Sequence, residues 1–461
     1  MFNSEVYAKR RNELKEILKS GVVLLPGNNA SPMNYPANTY KFRQDSTFLY
    51  YFGLDFEGLF GIIDIDNNEE VLFGTDLTLD DLVWTGPELT LEQKAELSGI
   101  NKILPTEKLN KYVTTLFKDG SIFHYLPQYR TENIIYLSEL LTLNYDLINK
   151  HASKEFILAA IKQRSIKSDL EVLEIEKAIE ISYDMYDYAF KNTKPGISER
   201  DVYSFVEAKT YAKGHGPSFA SIFSVNGERL HNPFHENIMQ AGQLVLLDSG
   251  AESLEHYASD ITRTFPVNGK FTEFQKDIYS IVLNTNETAI KTIKAGRPYR
   301  DVHFDSARTI VDGLKAIGLM KGDTAEAVKL GAHAMFYPHG LGHMLGLDVH
   351  DMEALGESLV GYTEDVERSQ QFGLKYLRMA RPLEVGFVMT VEPGIYFIPQ
   401  LIKTWKKEKK FVDFINYAEA EKHFDFGGIR IEDDILVTNN GARVLGKPIP
   451  KSIKDIEDIC S

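Results

Sequence analysis

The chain has 461 residues, of which 43% are hydrophobic and 25% are charged, and its formal net charge is −15. This length is too great for one ordinary core and predicts two domains. The negative charge argues against nucleic acid or an anionic membrane as a partner. Cys460 is the only cysteine, which excludes an intramolecular disulfide and fits a reducing compartment. The first residues form a charged amphipathic pattern rather than a signal peptide, and no apolar run is long enough to span a membrane. We therefore expect a cytoplasmic protein.

Residues 1–160 alternate short apolar runs with polar, turn-rich stretches, which predicts an α/β domain. The runs VVLLPG (22–27) and TFLYYFGL (47–54) have the composition of strands. Residues 61–74 have the pattern of a hairpin that turns at Asn67 and Asn68. Helical patterns lie between these runs, at about 5–19, 91–98 and 108–117.

A second domain is predicted from residue 161 to residue 461. Ser168 and Glu171 have the spacing of a capping box before a long helical pattern, and Ser198 begins another helix that stops at Gly214. Further helical segments lie near 272–294 and 299–317. Strand-like runs begin after residue 218 and return after residue 385, so helices and strands mix in this domain.

Two aspartates flank strand-like runs in this second domain. Asp248 ends the run LVLL (244–247), and Asp260 lies twelve residues further on, directly before another run. Alone, Asp248 is more typical of a residue that caps a turn. Two antiparallel neighbours of this kind would bring both carboxylates together, and buried like charges need a cation or a shared proton.

The string HGLGHMLGLDVHD (339–351) supplies His339, His343 and His350. The spacing of the first two is that of a helical zinc motif, but the glutamate of that motif is missing, and Gly340 and Gly342 disfavour a helix. A loop is predicted instead, in which the glycines let the backbone approach a metal ion or a substrate.

Glu392 and Glu432 complete a set of acidic residues, each in a strand-like string. Together with Asp248, Asp260 and His343 they form an oxygen-rich donor set with one imidazole. Such a set favours Mn²⁺, Co²⁺ or Fe²⁺, with Zn²⁺ possible. Four converging carboxylates repel one another unless cations lie among them. Two ions about 3.5–4 Å apart that share a hydroxide would be hydrolytic machinery.

Five strings carry a resemblance to a known family: LVLLDSGAE, HYASDITRTFP, HGLGHMLGLDVHD, VMTVEPGIY and GGIRIEDDI. In this order they resemble the pita-bread metallopeptidases, in the proline-directed branch that contains aminopeptidase P and prolidase. The stretch YAKRRNELKEIL…NTYKFRQDSTFLYYFGL resembles the amino-terminal domain of aminopeptidase P. The resemblance covers nearly the whole chain. It implies an α/β amino-terminal domain (1–160) followed by an α+β pita-bread catalytic domain (161–461).

The resemblance also implies a role for each matching ligand. Asp248 and Asp260 would hold one metal ion, with Asp260 also bridging to the second. His343 and Glu392 would complete the shell of the second ion, and Glu432 would bridge both. Glu392 would in addition take the proton from the bridging water, so that a metal-bridging hydroxide is the nucleophile.

Three histidines outside the ligand set match further positions of the family. His231 matches an upstream histidine, which makes it a stronger candidate than the nearby His235. His339 and His350 would contact the substrate around the scissile carbonyl and the proline residue. The implied catalytic residues are therefore Glu392 and these three histidines.

Two arginines match positions that act on the substrate. Arg430 would orient acidic groups at the site and contribute to substrate binding. Arg378, in the string LRMAR, resembles the residue that binds the free carboxylate of a dipeptide in prolidases.

The implied activity is hydrolysis of Xaa-Pro bonds with two divalent metal ions, Mn²⁺ foremost, in a homodimer or homotetramer. An X–Pro bond has no N–H, so recognition must use the ring shape and the flanking carbonyls. We favour an aminopeptidase that releases the first residue of peptides with proline second. A dipeptidase is the alternative, favoured by Arg378 and by the long segment between Ile398 and Gly427. A catalytically inactive binding module on this scaffold is a third possibility, disfavoured because all five ligands are present.

Overall fold

The computed structural model of the chain describes residues 2–461, which form two compact units. One comprises the described residues up to Arg164 together with Met352–Gly356, and the other comprises Ser165–Asp351 and Glu357–Ser461. Compactness does not show that a unit folds alone, so the domain boundary near residue 160 stays a prediction. Among residues 2–461, no helix is both long enough and apolar enough to cross a membrane.

The first unit is built on a mixed sheet. Its strands are β1 (Val22–Pro26), β2 (Pro32–Tyr35), β3 (Asn38–Thr39), β4 (Phe60–Asp64), β5 (Glu69–Gly74), β6 (Lys102–Pro105) and β7 (Phe123–His124). Five of them form the sheet in the order β6-β5-β4-β1-β7, and β2 and β3 form a separate pair. Its helices are α1 (Ser4–Leu18), α2 (Ser46–Phe52), α3 (Leu79–Thr85), α4 (Leu91–Ser98), α5 (Leu109–Lys118), α6 (Thr131–Leu141), α7 (Tyr145–Ile148) and α8 (Lys154–Ser165). Apolar side chains of the central strands and of α5 and α6 form its core.

The predicted hairpin between residues 61 and 74 is confirmed as β4 and β5. Its turn contains Asn68 in the left-handed region, with φ of 51°. The backbone N–H of Asn67 donates to the carboxylate of Asp64 at 3.0 Å. An Asn tolerates this backbone conformation better than most residues, so the turn and the register of the two strands are set locally.

The predicted strand across 47–54 is wrong, because residues 46–52 form the helix α2. The Asp45 carboxylate accepts hydrogen bonds from the backbone N–H groups of Thr47 and Phe48, which satisfies two donors at the start of the helix. Gly53, with φ of 67°, ends it. All seven residues of α2 are buried, so the run has no polar face from which a helical period could be read.

The second unit combines helices with several short antiparallel sheets. Its strands are β8 (Gly216–Pro217), β9 (Ile222–Ser224), β10 (Leu244–Ser249), β11 (Ala251–Glu252), β12 (Ile261–Pro266), β13 (Val388–Val391), β14 (Gly394–Tyr396), β15 (Gly428–Arg430), β16 (Asp433–Thr438) and β17 (Gly441–Val444). Its helices are α9 (Asp169–Asn192), α10 (Glu199–Lys213), α11 (Glu273–Thr292), α12 (Tyr299–Ala316), α13 (Thr324–Leu330), α14 (Glu357–Gly361), α15 (Pro399–Lys407), α16 (Tyr417–Ala420) and α17 (Ile453–Cys460).

The long helices of this unit begin where the sequence predicts. α9 follows a capping box in which Ser168 and Glu171 satisfy each other's backbone donors, and Ser198 caps α10 in the same way. Their apolar faces pack with α11, α12 and the strands β10 and β12 into one large core. The sheets β12-β10-β9, β13-β16-β17 and β14-β15 carry the residues of the candidate site.

Candidate metal centre and substrate cavity

The strands β10 and β12 bring Asp248 and Asp260 together. They pair antiparallel, with Asp248 opposite Thr262, while Asp260 directly precedes β12. Both aspartates are buried, with 9% and 5% of their surface exposed. Asp260 lies two residues before Thr262 and therefore on the same face as Asp248, diagonal to it, so the hairpin places two carboxylates in one small volume, as the sequence predicts.

His343 lies in a loop that is tied to β13. Its backbone N–H donates to Thr390 Oγ1 at 3.1 Å, and the backbone N–H of Thr390 donates to the His343 carbonyl at 3.0 Å. The predicted loop conformation of residues 339–351 is confirmed. Neighbouring backbone also requires its glycines, because a Cβ at Gly342 would lie 2.1 Å from the carbonyl oxygen of Thr390 and one at Gly340 would lie 2.9 Å from the Cα of Leu377. The predicted approach of this backbone to a metal ion or a substrate stays a prediction.

Glu392 and Glu432 reach the same volume from β13 and from the link between β15 and β16. The side chain of Glu392 lies two residues beyond Thr390, at the end of the strand. The backbone N–H of Glu432 donates to the carbonyl of Thr262 at 3.1 Å, and Thr262 Oγ1 donates to Glu432 Oε2 at 2.6 Å. Thr262 therefore fixes both the backbone and the carboxylate of Glu432.

The hydrogen bonding of His343 fits a metal ligand. Its Nδ1 lies 3.0 Å from the carbonyl oxygen of Met344, and because a carbonyl can only accept, this nitrogen carries the hydrogen. In the neutral imidazole, Nε2 then presents its lone pair to Asp260 Oδ2 at 3.3 Å and to Glu392 Oε1 at 3.6 Å. Three electron-rich atoms that face one another repel, and a cation between them would turn the contact into coordination.

The carboxylates around His343 also indicate a metal site. Oδ1 of Asp248 and Oδ1 of Asp260 are buried without a hydrogen-bond partner. Donor atoms of Asp260, His343 and Glu432 lie within 4.8 Å of one another. Burial, and then the charge of Asp248, raises the pKa of Asp260 well above its ordinary value, and burial followed by Asp260 does the same for the pKa of Glu432. Without a cation, these groups would hold protons.

Glu392 is the least buried of the four carboxylates, with 19% of its side chain exposed. Burial and the neighbouring aspartates nevertheless raise its pKa to about 7, although His343 opposes the shift. The donor set therefore fits divalent metal ions, because their charge would keep all four carboxylates ionised and would satisfy the orphaned oxygens.

Two outer aspartates, Asp433 and Asp434, support this centre. Asp434 Oδ2 accepts a hydrogen bond from the backbone N–H of Asp260 at 3.0 Å. Asp433 is paired with Arg263 at 2.7 Å and with Lys451 at 2.6 Å. Burial alone would raise the pKa of Asp433, but these two cations outweigh it and lower the pKa to about 2. Asp434 thus fixes the backbone at Asp260, and Asp433 holds the side chains of Arg263 and Lys451.

A second network runs from Asp248 to His339 through Arg430 and Tyr396. Arg430 pairs with the Asp248 carboxylate and donates to Tyr396 Oη at 2.8 Å. His339 Nδ1 lies 2.8 Å from the Gly340 carbonyl, so Nδ1 carries the hydrogen and Nε2 accepts from Tyr396 Oη at 2.9 Å. Burial, and then the charge of Arg430, lowers the pKa of His339 to about 3, which keeps its ring neutral.

The donor set lines a cavity of about 690 Å³ within the second unit. His231, His339, His350 and Arg378 also line it. The ring of His350 lies edge-on to that of His343, with centroids 4.3 Å apart. Partial burial in the cavity wall lowers the pKa of His231, although the residue remains exposed to solvent. A cavity of this size admits a short peptide.

His235 takes a different place from His231. It stacks on Tyr203 at 3.7 Å, and its Nδ1 lies 3.2 Å from the carbonyl of Phe223. It does not line the cavity.

Several residues at this site were not predicted from the sequence. Tyr396 ends the quoted string VMTVEPGIY, four residues after Glu392, and this closeness to a predicted ligand was the available signal. Thr262 lies in the string with Asp260, and its position opposite Asp248 follows only from the strand register. Glu357 and Arg368 also line the cavity, from a segment without any informative pattern.

The fold, the donor set and the cavity fit a metal-dependent peptidase. Comparison with known proteins shows the family to which the chain belongs. The family model for "Metallopeptidase family M24" matches residues 174–439, and that for "Aminopeptidase P, N-terminal domain" matches residues 7–124. This chain belongs to metallopeptidase family M24. Its α/β amino-terminal domain and pita-bread catalytic domain confirm the predicted fold class.

Similar proteins carry two activities in their names. The mouse Xaa-Pro dipeptidase is 32% identical over 98% of this chain and 92% of its own length. A probable Xaa-Pro aminopeptidase of Fusarium vanettenii is also 32% identical, over 100% of this chain and 97% of its own. Among solved structures, zinc-substituted Escherichia coli aminopeptidase P with product matches at a TM-score of 0.83 and 28% identity, covering 100% of this chain and 98% of that one. This chain is therefore an enzyme of the Xaa-Pro aminopeptidase and dipeptidase family, which uses divalent metal ions.

Proposed function

We propose that this protein is a dinuclear metal-dependent exopeptidase that hydrolyses Xaa-Pro bonds and releases the first residue of peptides with proline second. The main support is the cluster of Asp248, Asp260, His343, Glu392 and Glu432. In it, Oδ1 of Asp248 and Oδ1 of Asp260 are buried without a hydrogen-bond partner, and carboxylate oxygens of Asp260 and Glu392 face the imidazole lone pair of His343. Two ions, Mn²⁺ foremost, would be held by these five residues. When bound, they polarise the scissile carbonyl and lower the pKa of a water molecule that serves as the nucleophile.

The residues around the cluster would bind and orient the peptide. Neutral His339 holds no charge to repel a cation, and its hydrogen bond to Tyr396 fixes the plane of its ring against the cavity wall. His231 and His350 lie in the same wall and can donate to the carbonyls that flank the X–Pro bond. Such donors suit a tertiary amide, which offers carbonyl acceptors but no N–H.

Glu392 would move the proton in the reaction. Its pKa of about 7 in the absence of cations shows that small changes in nearby charge shift its protonation at neutral pH. Its carboxylate lies 3.9 Å from His339 Nδ1 and 3.6 Å from His343 Nε2, between a proposed substrate contact and a proposed ligand. It can therefore accept a proton from the attacking water and return it to the departing proline nitrogen.

The decisive experiment compares an X-Pro dipeptide with an X-Pro-X tripeptide, using protein loaded with Mn²⁺. We expect cleavage of both to require metal, with a higher kcat/KM for the tripeptide. The variant Glu392→Gln should lose cleavage of both while it stays folded. Absence of any cleavage by the loaded wild-type protein, or near-zero metal in gently purified protein, would contradict the proposal and favour a binding module.

A dipeptidase is the second candidate, because Arg378 lines the cavity and could receive a free carboxylate that follows proline. A clear preference for the dipeptide in the same assay would establish it. We also expect this protein to form a homodimer or homotetramer and to reside in the cytoplasm.

A further inference from the structure

One wall of the cavity carries a charged cluster formed by Glu357, Arg368 and Arg378. Arg368 Nη2 lies 2.6 Å from Glu357 Oε1, and Arg378 Nη1 lies 4.0 Å from the same oxygen. All three residues line the cavity that holds the donor set. Their side chains are 26–30% exposed, so the cluster faces the cavity rather than the core.

A backbone hydrogen bond and a contact with an aromatic ring hold the side chain of Arg368, which in turn pairs with Glu357. Its Nε donates to the carbonyl of Lys375 at 3.1 Å, and its guanidinium lies 5.8 Å from the ring centroid of Tyr362. The hydroxyl of Tyr362 donates to the carbonyl of Leu377 at 2.7 Å. The Glu357 carboxylate is therefore paired with a guanidinium that is anchored to the backbone at Lys375, three residues before Arg378.

Glu357 interacts differently with the two arginines, as the distances show. It forms a direct hydrogen bond with Arg368, whereas 4.0 Å from Arg378 is beyond hydrogen-bond range but well within the range of Coulomb interaction. Glu357 thus offsets the charge of Arg378 without a hydrogen bond to it. A carboxylate that enters the cavity and binds Arg378 would meet the negative charge of Glu357 a few ångströms away.

We infer that Glu357 determines specificity: it weakens the binding of substrates whose free carboxylate directly follows proline, relative to substrates whose chain continues as an uncharged amide. The inference rests on the proposed Xaa-Pro peptidase function and deepens it. Two like charges about 7 Å apart at an effective dielectric between that of a protein surface and that of water change affinity by about tenfold.

The test uses Glu357→Gln, which removes the charge and keeps the size. Three substrates are compared: an X-Pro dipeptide, the same dipeptide with an amidated carboxyl terminus, and an X-Pro-X tripeptide. We expect the KM of the free dipeptide to fall by about tenfold, with an effect that shrinks as salt is added, while the KM of the amide stays unchanged. Glu364→Gln is the matched control, because Glu364 is exposed on the same segment and does not line the cavity.

The unchanged amide reports that the variant is folded and that its metal centre is intact. An unchanged ratio of dipeptide to amide KM would overturn the inference while the proposed function stands. A rise in the dipeptide KM would also overturn it, since it would mean that Glu357 helps to bind the carboxylate end by holding the arginines in place. Failure of the wild-type protein to cleave all three substrates would instead overturn the proposed function, and the inference with it.

Discussion

Metal binding should release protons from the site, because the metal-free carboxylates hold them. Burial raises the pKa of Asp260 and of Glu432 well above the ordinary value, and raises that of Glu392 to about 7. A divalent ion must displace these protons in order to bind. We therefore expect Mn²⁺ affinity to rise steeply with pH between about 5.5 and 7.5.

The size of the pH effect on Mn²⁺ affinity follows from the number of displaced protons. Each proton released at a given pH makes the binding free energy more favourable by about 1.4 kcal/mol per pH unit, which is tenfold in affinity. At pH 6.5 Glu392 alone is about three-quarters protonated in the metal-free protein, and the more strongly shifted Asp260 and Glu432 add to this. We expect one or more protons to be released at pH 6.5. At pH 8 Glu392 is already largely ionised, so it should no longer contribute to this release.

The same groups determine how the stability of the metal-free protein changes with pH. A carboxylate whose folded pKa is raised contributes stability that is present below its unfolded pKa and is lost as pH rises through the folded value. Two buried histidines act in the opposite sense, because burial lowers the pKa of His303 to about 3 and that of His333 to about 4. Their contribution is present above the unfolded pKa of about 6.5 and is lost as pH falls. A single stability curve therefore mixes both, whereas the difference between metal-loaded and metal-free protein isolates the carboxylates.

The assay is calorimetric titration of metal-free protein with Mn²⁺ in two buffers of different ionisation enthalpy, at pH 5.5, 6.5 and 8. The heat difference between buffers gives the number of protons released. Glu364→Gln changes an exposed carboxylate that does not line the cavity; it serves as the control and should match the wild-type protein. Release of fewer than about half a proton at pH 6.5, or an affinity independent of pH, would refute the reasoning.

Three substitutions test the supports of the site. Lys167→Met breaks the fully buried ion pair with Asp351 (2.8 Å) and should lower the free energy of unfolding by about 3–5 kcal/mol in urea titrations. Tyr396→Phe removes the hydroxyl between His339 and Arg430 and should reduce kcat/KM about ten- to a hundredfold in steady-state assays, with little change in Tm. Thr262→Val removes the hydrogen bond to a proposed ligand and should weaken Mn²⁺ binding about 10–100-fold by calorimetry.

The lysine substitution has a matched control, and each substitution has an outcome that would contradict it. Lys177→Met breaks a pair with Glu174 in which the lysine is 55% exposed, and stability should change by less than about 1 kcal/mol. Equal losses in both lysine variants would contradict the role given to burial. Unaltered kinetics in the tyrosine variant would mean that His339 does not depend on the network, and tight Mn²⁺ binding by the valine variant would mean that Glu432 needs no support from Thr262.

Much of the fold could be predicted because local signals agreed with the global arrangement. The capping boxes before α9 and α10 mark where the helices begin, and the alternation in β10 and β12 predicts an antiparallel pair. The prediction of a strand at 47–54 was wrong for a physical reason: a helix buried on every side has the same apolar composition as a buried strand. There the informative residues were the caps at its two ends, Asp45 and Gly53, rather than the run itself.

The site was predictable only where residues lie in long, distinctive strings. Asp248, Asp260 and Glu432 could be singled out for this reason. Glu357 could not, because its importance arises from its position beside Arg378, in a segment with no pattern of its own. Contacts between residues far apart in sequence depend on tertiary packing, which periodicity and spacing do not report.

The antiparallel register of β10 and β12 limits how this chain can vary in length. One inserted residue in either strand would turn Asp248 or its neighbour Thr262 to the opposite side of the sheet, and the anchor of Glu432 would be lost with it. Residues 357–378 lie outside that ladder, so insertions and deletions there can reshape the cavity wall and leave every proposed ligand where it is. Changes of loop length in this segment can thus alter peptide preference while the strands that carry the proposed ligands keep their register.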